Sequence, residues 1–144
     1  MTTDYAIRVV LYLAAAQRKA EQMAQEKGLC DEHLSAVVSS TKICGEMGIP
    51  WGMMHRITRI LKDTDIIREK RGVTGGFELI KSAEDITILD ITRAFEKTMT
   101  INKCLEDDRF CSSTTAHQCL VREFYTKLQH TINEMMSKKV SDFL

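Results

Sequence analysis

The chain has 144 residues, with 20 basic and 20 acidic side chains and a formal net charge of zero. That length suits one domain, or one domain with an oligomerisation arm. Hydrophobic residues make up 44% and proline occurs once, so a mostly helical chain with a sizeable core is expected. With no excess of either sign, charge alone does not establish nucleic-acid binding. No run is long and apolar enough to span a membrane. Five cysteines in a chain read as cytoplasmic argue for reduced thiols or metal ligands and against a disulfide framework. There is no internal repeat and no low-complexity stretch.

Residues 3–27 are the first predicted helix. Tyr5, Ile7, Val9, Val10, Leu11, Leu13 and Ala14 make it apolar over much of its circumference. Such a helix is expected to be buried, here between its own domain and a second subunit. No signal peptide is expected, because this helix begins at once and carries Arg8. Gly28 ends it, and residues 29–38 form a link with no assigned role. Cys30 lies there beside Asp31, Glu32 and His33, a group that reads as a solvated loop more readily than as a metal site.

Residues 39–79 organise the rest. Ser39 or Ser40 is expected to cap a short helix that buries Ile43, Met47 and Cys44 and stops at Gly48. Ile49 plugs the turn, and Pro50 opens a second helix over 51–63. Met53, Met54, Ile57, Ile60 and Leu61 recur at helical spacing and should face inward. Trp51, Gly52, His55, Arg56, Arg59 and Lys62 fall on the other side, a face suited to base edges and phosphates, although an ordinary solvated basic face has the same pattern. A hairpin follows, with strands at 66–70 and 77–80 and a tip at 71–76 holding three glycines. Lys70, Arg71 and Thr74 sit at or near the tip. Residues 40–82 carry eight basic and five acidic residues, a local net of plus three. Two helices with a tight turn, then a hairpin wing, lay one helix in the major groove and a loop over the backbone beside it.

Beyond the wing, Thr87 and Asp90 have the spacing of a capping box, which predicts a helix over 88–96. Residues 99–115 break the helical pattern. A last helix is predicted over 120–140, with Val121, Phe124, Leu128, Ile132 and Met135 on one stripe. The expected partner of that stripe is the same helix of a second copy; folding back on its own domain is the alternative. Cys104, Cys111 and Cys119 are separated by six and seven residues. Thiolates suit iron–sulfur clusters, zinc or copper(I), but these gaps are not those of a compact zinc knuckle, and three independent thiols fit them too.

The stretches YAIRVVLYLA, GIPWGMMHRITRIL, RGVTGGFEL and EDITILDITRAFE, in that order, resemble the Rrf-type family of bacterial winged-helix regulators over nearly the whole chain. That family includes an iron–sulfur cluster regulator, a nitric-oxide-sensing repressor and a cysteine-metabolism repressor. The resemblance implies a mainly α fold with a small β-hairpin. It divides the chain into a winged helix-turn-helix over 1–98, a cysteine-bearing sensor loop over 99–117 and a dimerisation helix over 118–144. It also implies a dimeric repressor that binds a palindromic operator in double-stranded DNA, not an enzyme. Candidate DNA contacts are Ser40, Thr41, Lys42, Trp51, His55, Arg56, Arg59, Lys70, Arg71 and Thr74. Cys104, Cys111 and Cys119 match the cysteines of cluster-bearing relatives, with Asp4 in TDYAIR as the fourth ligand, from a second subunit, ranked above His117. Control by a docked protein partner or by structural zinc, without a cluster, is the alternative. Two departures stand out. Thr64 and Asp65 occupy positions where the family usually has alanine and glycine, and the link over 18–38 is longer than usual.

Overall fold

A computed structural model describes residues 2–28, 36–111 and 118–144. The first helix, α1, is Thr2–Glu26. Ala6, Val9, Val10, Leu13 and Ala14 are at most 1% exposed, a stripe with helical spacing. Tyr5, Ile7, Leu11 and Tyr12 flank it, half-buried. The stripe is the axis of the core, and the helix–turn–helix, the hairpin, the following helix and the C-terminal turn all pack on it.

The second helix, α2, is Ser40–Met47, and Ser39 is its cap, its hydroxyl accepting from the Lys42 amide at 3.4 Å. Gly48 takes the left-handed conformation, φ 63°, which glycine adopts without strain. The chain then passes through buried Ile49 into α3, Trp51–Asp63. Met54, Ile57 and Leu61 are buried as predicted, while Met53 and Ile60 are only half-buried. Thr58 joins the buried face because its hydroxyl is satisfied within the helix, donating to the Met54 carbonyl at 2.9 Å. At the exit from α3, Asp65 has φ 53°. Glycine would take this conformation more cheaply, although Asp is among the few side chains that tolerate it.

The wing is the antiparallel pair β1, Ile67–Lys70, and β2, Gly76–Leu79, with Ile67 opposite Leu79 and Lys70 opposite Gly76. Each strand begins one residue from its predicted start. Val38, expected in a link, lies against Phe77 and exchanges two backbone hydrogen bonds with it, each 2.9 Å. The approach is so close that a Cβ on Gly76 would stand 2.2 Å from the Val38 carbonyl oxygen. Gly75 is similarly confined, with the Lys70 carbonyl oxygen 2.4 Å from where its Cβ would be. The Gly75–Gly76 pair of the tip is therefore set by contact as well as by turn geometry.

The helix α4, Ile88–Phe95, opens on the predicted capping box: Asp90 accepts from the Thr87 amide at 2.9 Å, and Thr87 accepts from the Asp90 amide at 3.1 Å. Two short 3-10 turns, Lys103–Leu105 and Asp108–Phe110, lie in the loop beyond. The last helix, α5, is Arg122–Met136. It is shorter at both ends than the predicted 120–140. After Ser137 the chain turns extended and pairs with the entry to α4: Ile88 N–H donates to Lys138 at 3.0 Å, and Val140 N–H donates to Ile86 at 2.8 Å. Val140, expected at the end of the helix, is fully buried in the core of the winged domain. Burying that side chain and making those backbone bonds require α5 to stop first.

Gly76→Ala is expected to destabilise the protein by roughly 1–3 kcal/mol or more, because a methyl group cannot fit between the two backbones without shifting one of them. Urea denaturation compares it with Gly45→Ala in α2, where a Cβ meets nothing within 4 Å and stability should hold or rise.

Candidate nucleic-acid interface

The outward face of α3 and the wing enclose a groove of about 680 Å³. Ser40, Trp51, Gly52, His55, Arg56, Arg59, Lys62 and Glu69 are among its lining residues. Trp51 is 53% exposed, and its ring meets His55 edge to face at 5.6 Å. Arg56 and Arg59 are exposed and make no ion pair among the described residues, unlike Arg8, Arg68, Arg109 and Arg122. The structure thus brings Ser40, Trp51, His55, Arg56 and Arg59 onto one surface. Thr41, Lys42, Lys70, Arg71 and Thr74 are exposed but do not line the groove. Val73, at the wing tip, is wholly exposed.

Lys62 departs from the simple basic face. Its ammonium donates to Glu69 of β1 at 2.7 Å and stands 6.0 Å from the centre of the Phe77 ring. This ion pair holds the last turns of α3 to the wing. Sequence reading missed it because the partners belong to different elements. The pair also holds the Glu69 carboxyl below its ordinary range, chiefly through the Lys62 hydrogen bond and charge.

Cys104, Cys111 and Cys119 do not line the groove. Cys104 and Cys111 are half-buried and Cys119 is exposed. Among the described residues no three Cys, His, Asp or Glu side chains form a group that could hold a metal ion. Cys30 and His117 fall outside the described residues. Asp4 is exposed and paired with Arg8 at 2.9 Å. Near it, Thr3 donates to Glu96 at 2.7 Å, which puts the front of α1 against the end of α4, where the loop begins. Cys44 is half-buried, and burial raises its thiol pKa, so it is poorly reactive.

Three features of the loop were not legible in advance. Gln129 of α5 donates to the Met99 carbonyl at 3.0 Å and accepts from the Ile101 amide at 2.8 Å. Arg122 pairs with Asp108. That carboxylate is the main cause of a raised guanidinium pKa, with smaller contributions from Cys104 and Cys119, so a fixed cation stands near two of the three thiols. Thr98 and Thr100 both donate to Glu106. α5 thus holds the loop by an amide clamp and an ion pair.

A tri-helical helix–turn–helix completed by a two-stranded wing defines the winged-helix class. The chain belongs to the Rrf2 family, described as iron-dependent transcriptional regulators, whose profile matches residues 1–142. The family is one of regulators, not of enzymes, as expected from the sequence. The chain is 26% identical over 100 residues to ORF2 of Azotobacter vinelandii, named as an HTH-type transcriptional regulator, covering 69% of this chain and 59% of that one. It is 28% identical over 88 residues to protein rrf2 of Nitratidesulfovibrio vulgaris, covering 61% and 57%. The matched stretches therefore span under two thirds of these relatives. Among solved structures it is similar to CymR, the global cysteine regulator of B. subtilis, with TM-score 0.73, 18% identity and coverage of 99% and 92%. It is also similar to IscR of T. potens, with TM-score 0.70, 16% identity and coverage of 99% and 82%. At these identities the two structures establish the fold. No helix among the described residues is long and apolar enough to cross a membrane.

A carbon-detected titration should find Glu69 ionising below an ordinary glutamate, and Lys62→Met should return it toward the ordinary value. The sign follows from the depressed pKa. The pair contributes stability above the ordinary carboxylate range, and that contribution is lost as pH falls through the lowered value. Both side chains are more than a third exposed, so the effect on global stability is small.

Proposed function

We propose that this chain is a cytoplasmic, dimeric transcription repressor that places α3 in the major groove of a palindromic operator and its wing on the adjoining backbone. The observation that carries this reading is the pair of exposed arginines, Arg56 and Arg59, without an ion pair among the described residues, on the outward face of α3 beside the wing. Ser40, Thr41, Lys42, Trp51, His55, Lys70, Arg71 and Thr74 are the further contacts, with those on α2 and the wing acting mainly on phosphates. Dimerisation is assigned to α5: Val121, Phe124, Leu128 and Met135 are exposed along it, with Ile132 half-buried between them. An uncovered stripe of that length favours a partner of the same kind. The functional division is 1–98 for DNA, 99–117 for sensing and 118–144 for dimerisation, with the tail after α5 returning to the first unit.

Control enters at the loop bearing Cys104, Cys111 and Cys119, through thiol chemistry or an iron–sulfur cluster, with Asp4 of a second copy as the oxygen ligand in the cluster form. Support for a cluster comes from the soft donors and the iron-dependent description of the family. Regulation requires the occupied and empty loop to differ in their preference for the DNA-competent dimer.

Arg56→Ala, Arg59→Ala and Arg71→Ala should each weaken operator binding. Loss of a phosphate contact should flatten the dependence of log K on log salt by about one. Unchanged affinity and slope in all three would remove the assignment. Leu128→Glu with Ile132→Glu should give monomers or misfolded protein by sedimentation; a well-folded dimer would put the interface elsewhere. Iron and sulfide counts on anaerobically purified protein, repeated with each cysteine changed to serine, decide the form of control. Iron-free protein that still binds DNA assigns control to thiols, zinc or a protein partner.

A further inference from the structure

α3 carries at its second position a glycine that the fold does not use. Gly52 has ordinary helical backbone, and a Cβ built on it meets no atom within 4 Å. Glycine inside a helix is less stable than alanine, so Gly52 weakens α3 and spares no neighbour. It lines the groove, between the Trp51–His55 pair and Arg56 one turn further on. Gly45 of α2 is equally unconfined but lies outside the groove.

The same face is made of donors. Arg56 and Arg59 have no ion-pair partner among the described residues, and Glu69, the one acid among the groove residues, is taken up by Lys62. Arg56 lies in the N-terminal half of the helix, the part of a recognition helix that reaches base edges. A guanidinium presents two parallel N–H donors. In the major groove only guanine offers the matching pair of acceptors, O6 and N7, from one base.

Resting on the DNA-binding reading above, we infer that Arg56 reads a guanine in each operator half-site, and that Gly52 is kept bare so the first turns of α3 can approach the base edges closely enough for it to do so. A methyl group at position 52 would project into the space the duplex edge has to occupy, while improving the helix itself. The two properties therefore respond with opposite sign, which a purely structural glycine would not do.

The full-length chain, used to enrich a pool of random-sequence duplexes, supplies the probe. The enriched half-site should contain a guanine whose replacement by adenine weakens wild-type binding roughly 5- to 150-fold, the factor equivalent to one bidentate base contact. 7-Deazaguanine at that position should also weaken it, and Arg56→Ala should be indifferent to both changes. Gly52→Ala should raise Tm and lower affinity for the enriched duplex at least fivefold; Gly45→Ala should raise Tm and leave affinity unchanged. An Arg56→Ala protein that still discriminates that guanine, a Gly52→Ala protein that binds as tightly as wild type, or an equal loss in Gly45→Ala overturns the inference while leaving sequence-specific binding in place. If no sequence is enriched, the DNA-binding reading itself fails, and this inference with it.

Discussion

The contact on which the DNA-facing half depends is the backbone pairing of Val38 with Phe77. Val38 directly precedes Ser39, the cap of α2, and Phe77 is the second residue of β2. Two hydrogen bonds of 2.9 Å therefore fix the wing to the entrance of the helix–turn–helix. They form only because Gly76 lets the two backbones close to a distance no side chain would permit. The Lys62–Glu69 pair adds a second tie at the other end of α3. Held at both places, recognition helix and wing act as one surface, and the groove between them has a defined shape. A winged helix reads DNA with two elements at once, so their relative position matters as much as the residues they carry.

The other half hangs from α5. Among the described residues, polar bonds tie the helix and its end to the rest of the chain at three places: Gln129 on the backbone at Met99 and Ile101, Arg122 on Asp108, and the segment after Ser137 on the entry to α4. A rearrangement of the cysteine loop that moves residues 99–108 has to break or drag the first two. The third ties the far end of α5 to the domain carrying α3, and buries Val140 in its core. Loop, α5 and winged domain are thus joined by short, directional bonds, the kind of connection through which occupancy of the loop would bias the placement of the two recognition helices in the proposed dimer.

What the sequence made legible was local. The helix–turn–helix follows from Ser39, Gly48, Pro50 and the spacing of Ile57 and Leu61; the capping box follows from Thr87 and Asp90; the wing follows from its glycines. Each depends on residues within a few positions of one another, where propensity and periodicity act. What was missed joins distant residues. Val38 was read as linker because a single strand position without alternation gives no periodic signal. Gln129 gave none either, since an amide on a helix is usually solvated. The end of α5 was misplaced because Ser137, Lys138 and Lys139 carry no helix-breaking signal before apolar Val140, and only tertiary burial shows that Val140 belongs to a different surface. The cysteine loop was recognisable as chemically loaded from its thiols, but ligand geometry is not encoded in gaps of six and seven residues.

The electrostatics of the interface follow from a chain with no net charge. A strongly basic protein is drawn to any duplex by its whole field, and base reading then adds a modest preference. Here the segment from α2 to the wing carries only a small excess, and two of its cations are paired internally, Lys62 on Glu69 and Arg68 on Glu78 at 2.6 Å. Lys42, Arg56, Arg59, Lys70, Arg71 and Lys81 have no ion pair among the described residues, and of these Arg56 and Arg59 line the groove. Weak general attraction combined with a few free donors favours a protein whose affinity for arbitrary DNA is low and whose affinity for its own site rests on a few directed contacts. Such a regulator also needs little energy to be released. In the proposed dimer, a shift in the spacing of the two half-site contacts would remove most of what holds it, which is what the proposed sensing loop, tied to α5 by a clamp and an ion pair, would be in a position to supply.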